Sequence, residues 1–377
     1  MSKNIVICCD GTANEFAPDT TNVVKLFYTL NLDPQLQVAY YHPGLGTMEP
    51  AGALTPISRK FTKLLGMALG YGLADDISRA YSFLMEMYED GDKVFFFGFS
   101  RGAYTVRAVC SLLHMYGLIR PGNESLGPYA IRMMLAINRA KDESADQNEA
   151  KQRYFDLAAN FRATMARSQC KPRFVGVWDT VASVGWIDNP LKLPYVANNP
   201  DIEIGRHAVS IDERRAFFRT HLWQPPDGPT SVRGPKDLKQ VWFAGVHCDV
   251  GGGYPERESG LSKIALDWML QEAKKGGLAV DPAKEAEILG RTGSGKYVAP
   301  DPDGEAHESL RGAWNMAEFV PKKHYDWASG AWNRRMNLYR RRTLPPGSLV
   351  HDSVFRRKGG YRDRLPPDSV CEPVTFQ

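Results

Sequence analysis

The chain has 377 residues, 43% of them hydrophobic and 24% charged, with a formal net charge of +4. That is enough chain for one large globular domain or two, in the proportions of an ordinary soluble protein, and the bulk charge gives no footprint for nucleic acid. No apolar run approaches the roughly 20 residues needed to cross a bilayer, and the start, MSKNIVICCDGT, lacks the apolar core of a signal peptide, so synthesis and folding in the cytosol are expected.

In chain order, NIVICCD (Asn4 to Asp10) reads as a buried strand stopped by a DGT turn, and QVAYYHPGLGT as a second strand ending in a glycine loop. ISRKFTKLLGMALGYGLADD (Ile57 to Asp76) mixes basic and apolar residues and reads as a helix packed on a sheet, with a lipid-facing lid or entry helix as the alternative. DDISRAYSFLMEMYED places Ile77, Tyr81, Leu84, Met85 and Tyr88 at helical spacing. KVFFFGF is a strand, and GAYTVRAVCSLLHMYG a helix ending near Gly117. From Pro121 to about Arg173 the pattern is helical. PRFVGVWDTV and KQVWFAGVHCDV are two further strands, separated by a segment read as loop-rich, and LSKIALDWMLQEAKK is a late helix. The remaining residues are rich in Pro, Gly, Arg and Trp and show no clear period.

Buried strands alternating with helices predict an α/β fold, a mostly parallel central sheet flanked by helices. The polar clusters DGT, GFSRG, WDTV and GVHCD each follow a strand directly. In a parallel sheet they converge on the carboxyl edge, where ligands bind. The six cysteines form no Cys-x-x-Cys pair, and Cys8, Cys9 and Cys110 read as small buried hydrophobes. No histidines stand at metal-ligand spacing, so no catalytic metal is expected.

Ser100 lies in Gly98-Phe99-Ser100-Arg101-Gly102, between a predicted strand and a predicted helix. That context makes the pattern a nucleophile elbow: a turn so tight that the serine is held strained with its hydroxyl exposed. Gly98 and Gly102 let strand and helix approach, and the Arg101 N–H faces the place where a carbonyl oxygen becomes negative. The everyday alternative, a serine capping the helix, leaves the two glycines unexplained.

A serine hydroxyl needs a base, and an imidazole base needs a carboxylate to fix its tautomer. His247 and Asp179 follow predicted strands, and the order Ser100, Asp179, His247 is that of the α/β hydrolases. Asp249 is a rival carboxylate and His351 a rival base. Gly11 and Thr12 are candidate second oxyanion donors, on a loop that Asp10 pins by accepting hydrogen bonds. His207 reads as structural.

With CDGTANEF, TNVVKL, PGLGT, GFSRGAYTVRAV, VWDTVASVG, RHAVSIDERRAFF and GVHCDVGGGY, the sequence resembles the α/β hydrolase domain of the type VI secretion phospholipase effectors, the Tle lipases, over about residues 4 to 254. The resemblance implies an α/β-hydrolase fold, a triad at Ser100, Asp179 and His247, cofactor-free cleavage of phospholipid acyl esters, and a secretion or immunity protein as partner, with export by a route that needs no signal peptide. The basic clusters NRRMNLYRRR and FRRKGGYRDR read by default as a solvated basic face, with contact to anionic lipid headgroups or a carrier protein as the alternative.

The expected organisation is a single α/β-hydrolase domain over 1–377, with a helical insertion at 121–172 and an irregular Arg/Pro-rich C-terminal extension at 261–377 packed on it. GRTGSGKY (Gly290 to Tyr297) nearly matches a phosphate-binding loop but has tyrosine in place of the magnesium-binding hydroxyl, and follows a helix rather than a strand, so it reads as a loop. Two alternatives to a lipase remain: a soluble carboxylesterase acting on small or carbohydrate esters, and a catalytically silent hydrolase fold used for binding.

Overall fold

The structure, a computed structural model, describes residues 2–11, 20–44, 56–143, 147–168, 170–181, 185–186, 189–190, 193–216, 218–224, 233–312, 314–326 and 329–372. Its centre is an eight-stranded sheet. The strands are β1 (Asn4–Cys9), β2 (Gln37–His42), β3 (Lys93–Phe99), β4 (Pro172–Trp178), β5 (Ile204–Ser210), β6 (Asp237–Phe243), β7 (Leu349–His351) and β8 (Val370–Glu372). The order across the sheet is β8-β7-β6-β5-β4-β3-β1-β2, and every neighbouring pair is parallel.

A parallel sheet must be covered on both faces, because the helices that return the chain lie there. The side-chain alternation of β1 and β3 shows this directly. Ile5, Ile7, Val94 and Phe96 join one apolar cluster, with α2 (Pro56–Met87) and α3 (Arg101–Tyr116). Val6, Cys8, Phe95, Phe97 and Phe99 join the other, with α1 (Asn22–Thr29) and α7 (Gly260–Gly276). All of these strand residues are at most 2% exposed, so β1 and β3 read as unbroken apolar runs rather than alternating ones.

The 121–172 stretch holds two long helices, α4 (Leu126–Glu143) and α5 (Gln147–Met165). A short antiparallel ribbon, Leu118–Ile119 against Ala166–Ser168, closes their base. The stretch predicted as an irregular extension is more ordered than its composition suggests. Besides α7, the helix expected at LSKIALDWMLQEAKK, it contains α8 (Pro282–Ile288) and the two strands β7 and β8, which extend the sheet beyond β6. β5 lies in the segment expected to be loop-rich. Its Arg206 is buried and paired with Glu272 at 2.6 Å and Asp237 at 2.8 Å, so a charged residue interrupts what is otherwise a core strand. The near-match to a phosphate-binding loop follows α8, and its Lys296 pairs with Glu287 at 3.0 Å. Among the described residues no helix is long and apolar enough to cross a membrane.

Candidate active site

Ser100 follows β3 and precedes α3 with φ 57° and ψ −118°. Few non-glycine residues adopt a positive φ, and holding one there costs on the order of 1–3 kcal/mol. The surroundings enforce it. The Ser100 N–H donates to the Trp178 carbonyl at 3.1 Å, anchoring the turn to the end of β4. A Cβ on Gly98 would lie 2.6 Å from the Gly102 carbonyl oxygen, and one on Gly102 would overlap the Cys9 carbonyl. Both glycines are therefore required by backbone contact, and the serine makes no side-chain cap to the helix.

Asp179 ends β4, also with a positive φ, and is fully buried. Its Oδ2 lies 2.5 Å from His247 Nδ1. Its Oδ1 accepts the Ser210 N–H at 3.0 Å. Arg342 spans both oxygens, Nη1 to Oδ1 at 2.5 Å and Nη2 to Oδ2 at 3.1 Å. Burial on its own raises a carboxyl pKa, but Arg342 and His247 outweigh it and hold Asp179 well below the usual carboxylate range.

His247 opens the short helix α6 (His247–Gly251), which follows β6. Its ring lies between Phe99 and Phe218, with centroids at 4.5 and 4.9 Å. Since Phe99 precedes Ser100, serine and imidazole belong to the same rim. Burial lowers the His247 pKa below its ordinary value, with Asp179 opposing, so the ring is neutral at pH 7. An ionised Asp179 only accepts hydrogen bonds, so the ring proton sits on Nδ1 and Nε2 keeps its lone pair. The backbone N–H of His247 donates to Glu213 at 3.2 Å. Glu213 is itself gripped by Arg215 at 2.9 Å, which with other partners pushes its pKa down to about 2 despite burial.

The remaining predicted residues fall into two groups. Asp10 accepts the hydroxyls of Thr21 at 2.6 Å and Tyr41 at 3.0 Å, and the Gly11 N–H at 2.7 Å. It pins its loop, but the Gly11 N–H is thereby engaged; Thr12 lies outside the described residues. Arg101 is buried next to Asp76 of α2. Asp249 is not bonded to His247: it accepts the Val246 N–H at 2.9 Å and pairs with His307 at 2.6 Å, so it braces the turn instead. His351 caps α9 (Asp352–Arg356) through the Ser353 N–H and stacks on Phe243, and burial lowers its pKa to about 4. It is a core and capping residue, away from Asp179. His207 accepts the Thr180 N–H through Nε2 at 3.1 Å and is structural.

Sequence reasoning missed Arg342, Glu213 and His307. Arg342 is the last of three consecutive arginines, and nothing in that run marks the one that turns inward. Glu213 lies in DERRAFF, just after β5, and recognising β5 as a strand would have placed it at the same edge.

A family model described as "T6SS, Phospholipase effector Tle1-like, catalytic domain" matches residues 3–272. The chain belongs to this family. An uncharacterized protein of Saccharomyces cerevisiae is 35% identical over 231 residues, which is 59% of this chain and 33% of that protein. A crystal structure of an uncharacterized protein from Pseudomonas aeruginosa aligns with a TM-score of 0.42 at 20% identity, covering 75% of this chain and 47% of that one. The chain thus spans a third to a half of the length of these relatives.

Proposed function

We propose that this protein is a serine hydrolase that cleaves carboxylic ester bonds of phospholipids through an acyl-Ser100 intermediate. The observation that carries the reading is the 2.5 Å contact between His247 Nδ1 and Asp179, on the rim where strained Ser100 sits. Ser100 Oγ attacks the ester carbonyl as His247 Nε2 takes its proton. Asp179 holds the imidazole and stabilises the imidazolium. The negative oxygen of the tetrahedral intermediate is held by the Arg101 N–H at the start of α3. His247 then gives the proton to the departing alcohol. Water, deprotonated by the same imidazole, hydrolyses the acyl-enzyme and restores Ser100. The phospholipid substrate rests on the family's own description.

The test is a panel of phospholipids and short soluble esters, with wild type and Ser100→Ala. Loss of at least about 10³-fold in kcat, with fold retained, is expected for the variant, together with fluorophosphonate labelling of wild type only. Turnover of soluble esters alone would move the reading to a carboxylesterase. An unlabelled, folded wild type would remove it.

On this reading the protein works at a bilayer surface, and the segment before Arg342 offers one. Leu338 and Tyr339 have φ of 48° and 62° and are exposed with Phe319. The Glu318 carbonyl accepts the Leu338 N–H at 3.3 Å, and the Glu318 carboxylate accepts the Tyr339 N–H at 3.0 Å. These contacts hold two bulky apolar side chains outward beside exposed Arg340. Aromatic and aliphatic tips with adjacent cations suit an anionic lipid surface. Leu338→Asp combined with Tyr339→Ser is expected to lower co-sedimentation with phosphatidylserine vesicles several-fold while sparing hydrolysis of a soluble ester. Unchanged sedimentation would rule this surface out.

A further inference from the structure

Arg342 lies outside the family-matched residues 3–272, yet its guanidinium donates to Asp179, Ser210 and Phe218 at the same rim. Besides the two carboxylate contacts, Nη1 donates to the Ser210 carbonyl at 3.1 Å and Oγ at 2.7 Å, and Nη2 to the Phe218 carbonyl at 2.5 Å. A planar fork fixed at both tines has little freedom, and it imposes that order on the carboxylate it grips. Asp179 Oδ2 is shared between Arg342 Nη2 and His247 Nδ1. The preceding residue, Arg341, pairs with Asp212 at 2.7 Å. Asp212 also accepts the Tyr361 hydroxyl and, at 2.8 Å, the Gly245 N–H, two residues before His247. One stretch of chain therefore holds both the acid and the turn that carries the base.

We propose that Arg342 is a positioning residue for the Asp179–His247 pair, and that the site is incomplete without this segment beyond residue 272. The proposal rests on the hydrolase reading above. Two consequences follow from charge. The guanidinium fixes the orientation of a buried carboxylate that otherwise has the Ser210 N–H and His247 as partners. It also cancels part of the negative field that Asp179 exerts on the imidazole, so the imidazolium is less favoured than beside a bare aspartate.

Other charged and titratable groups face His247. Glu213 and Arg215 lie on the chain after β5, and Asp249 and Cys248 on its own helix, with His307 behind Asp249; Phe99 and Phe218 are uncharged. Of these, Glu213 also feels the Arg342 charge, which helps hold its carboxyl down, so a substitution at Arg342 acts on the imidazole mainly through Asp179 and secondarily through Glu213.

Arg342→Met is expected to lower kcat by about 10- to 100-fold through loss of alignment, with KM within about twofold. The acid limb of kcat/KM should move to higher pH. Arg342→Lys keeps a charge but not the fork, so it should hold the limb near wild type while kcat stays reduced. A purely structural arginine would lower Tm and leave the limb unmoved, and that result overturns the proposal. So would full kcat in Arg342→Lys, which also carries the test if the methionine variant does not fold. NMR titration of the His247 ring reads the coupling without turnover, with a raised pKa expected in Arg342→Met. If wild type fails to label with fluorophosphonate, the hydrolase reading falls, while the titration still decides whether Arg342 governs the imidazole.

Discussion

At the scale of single residues, the candidate site holds two backbone positions of positive φ, Ser100 and Asp179, each directly after a parallel strand. Asp179 fixes the tautomer of His247, and burial lowers the basicity of the ring. A base must be neutral to accept a proton, and a lowered pKa keeps it neutral to lower pH. The acid limb of the rate–pH profile is therefore expected below the ordinary histidine value of about 6.5; a limb above it would contradict the burial seen here. The sequence exposed these three side chains because each directly follows a recognisable apolar run. It concealed Arg342, whose partner lies 163 residues away, and Glu213, whose partner His247 lies 34 residues away. A pairing between distant segments leaves no local period to read.

At the scale of elements, the closeness of α3 to β1 and β3 decides whether the elbow exists. A methyl group at Gly102 would meet the carbonyl oxygens of Cys9 and Asp10, and Cys9, paired in the sheet, has no room to retreat. Gly102→Ala is expected to cost about 3 kcal/mol or more, by overpacking against backbone, seen as a large fall in Tm or as insoluble protein. A variant as stable as wild type would mean that helix and strand are farther apart than described. Strands β1, β3, β4 and β6 were legible because each runs through apolar residues into a polar cluster, Ile5–Cys9, Val94–Phe99, Phe174–Trp178 and Val241–Phe243, although glycine interrupts β3 and β4 and β6 begins with polar residues. β5 was not, because IGRHAVS carries glycine, arginine and histidine, and its buried Arg206 is tolerated only through Glu272 and Asp237. β7 and β8 are three residues each, too short for alternation to show. Their existence is decided by the edge that β6 offers, through Val241–Leu349 and Trp242–Val350.

At the scale of the whole molecule, the family match ends at residue 272 but the sheet does not. A chain stopped at residue 345 keeps Arg342 but lacks β7, β8 and Tyr361, and leaves the edge of β6 unpaired. Unpaired edges are templates for association, so this truncation is expected to aggregate on size-exclusion chromatography; a monomeric, active product would show that the last strands are dispensable. The strand order also has a temporal reading. Apart from β2, strands are laid down in sequence from β1 toward β8, and domains form as the chain emerges from the ribosome. Ser100 is translated in the first third of the protein, whereas Arg342, the cation that grips Asp179, is translated near the end. On the proposed hydrolase reading, a half-made chain can thus display the serine turn without its proton relay, which delays ester cleavage until synthesis is nearly over.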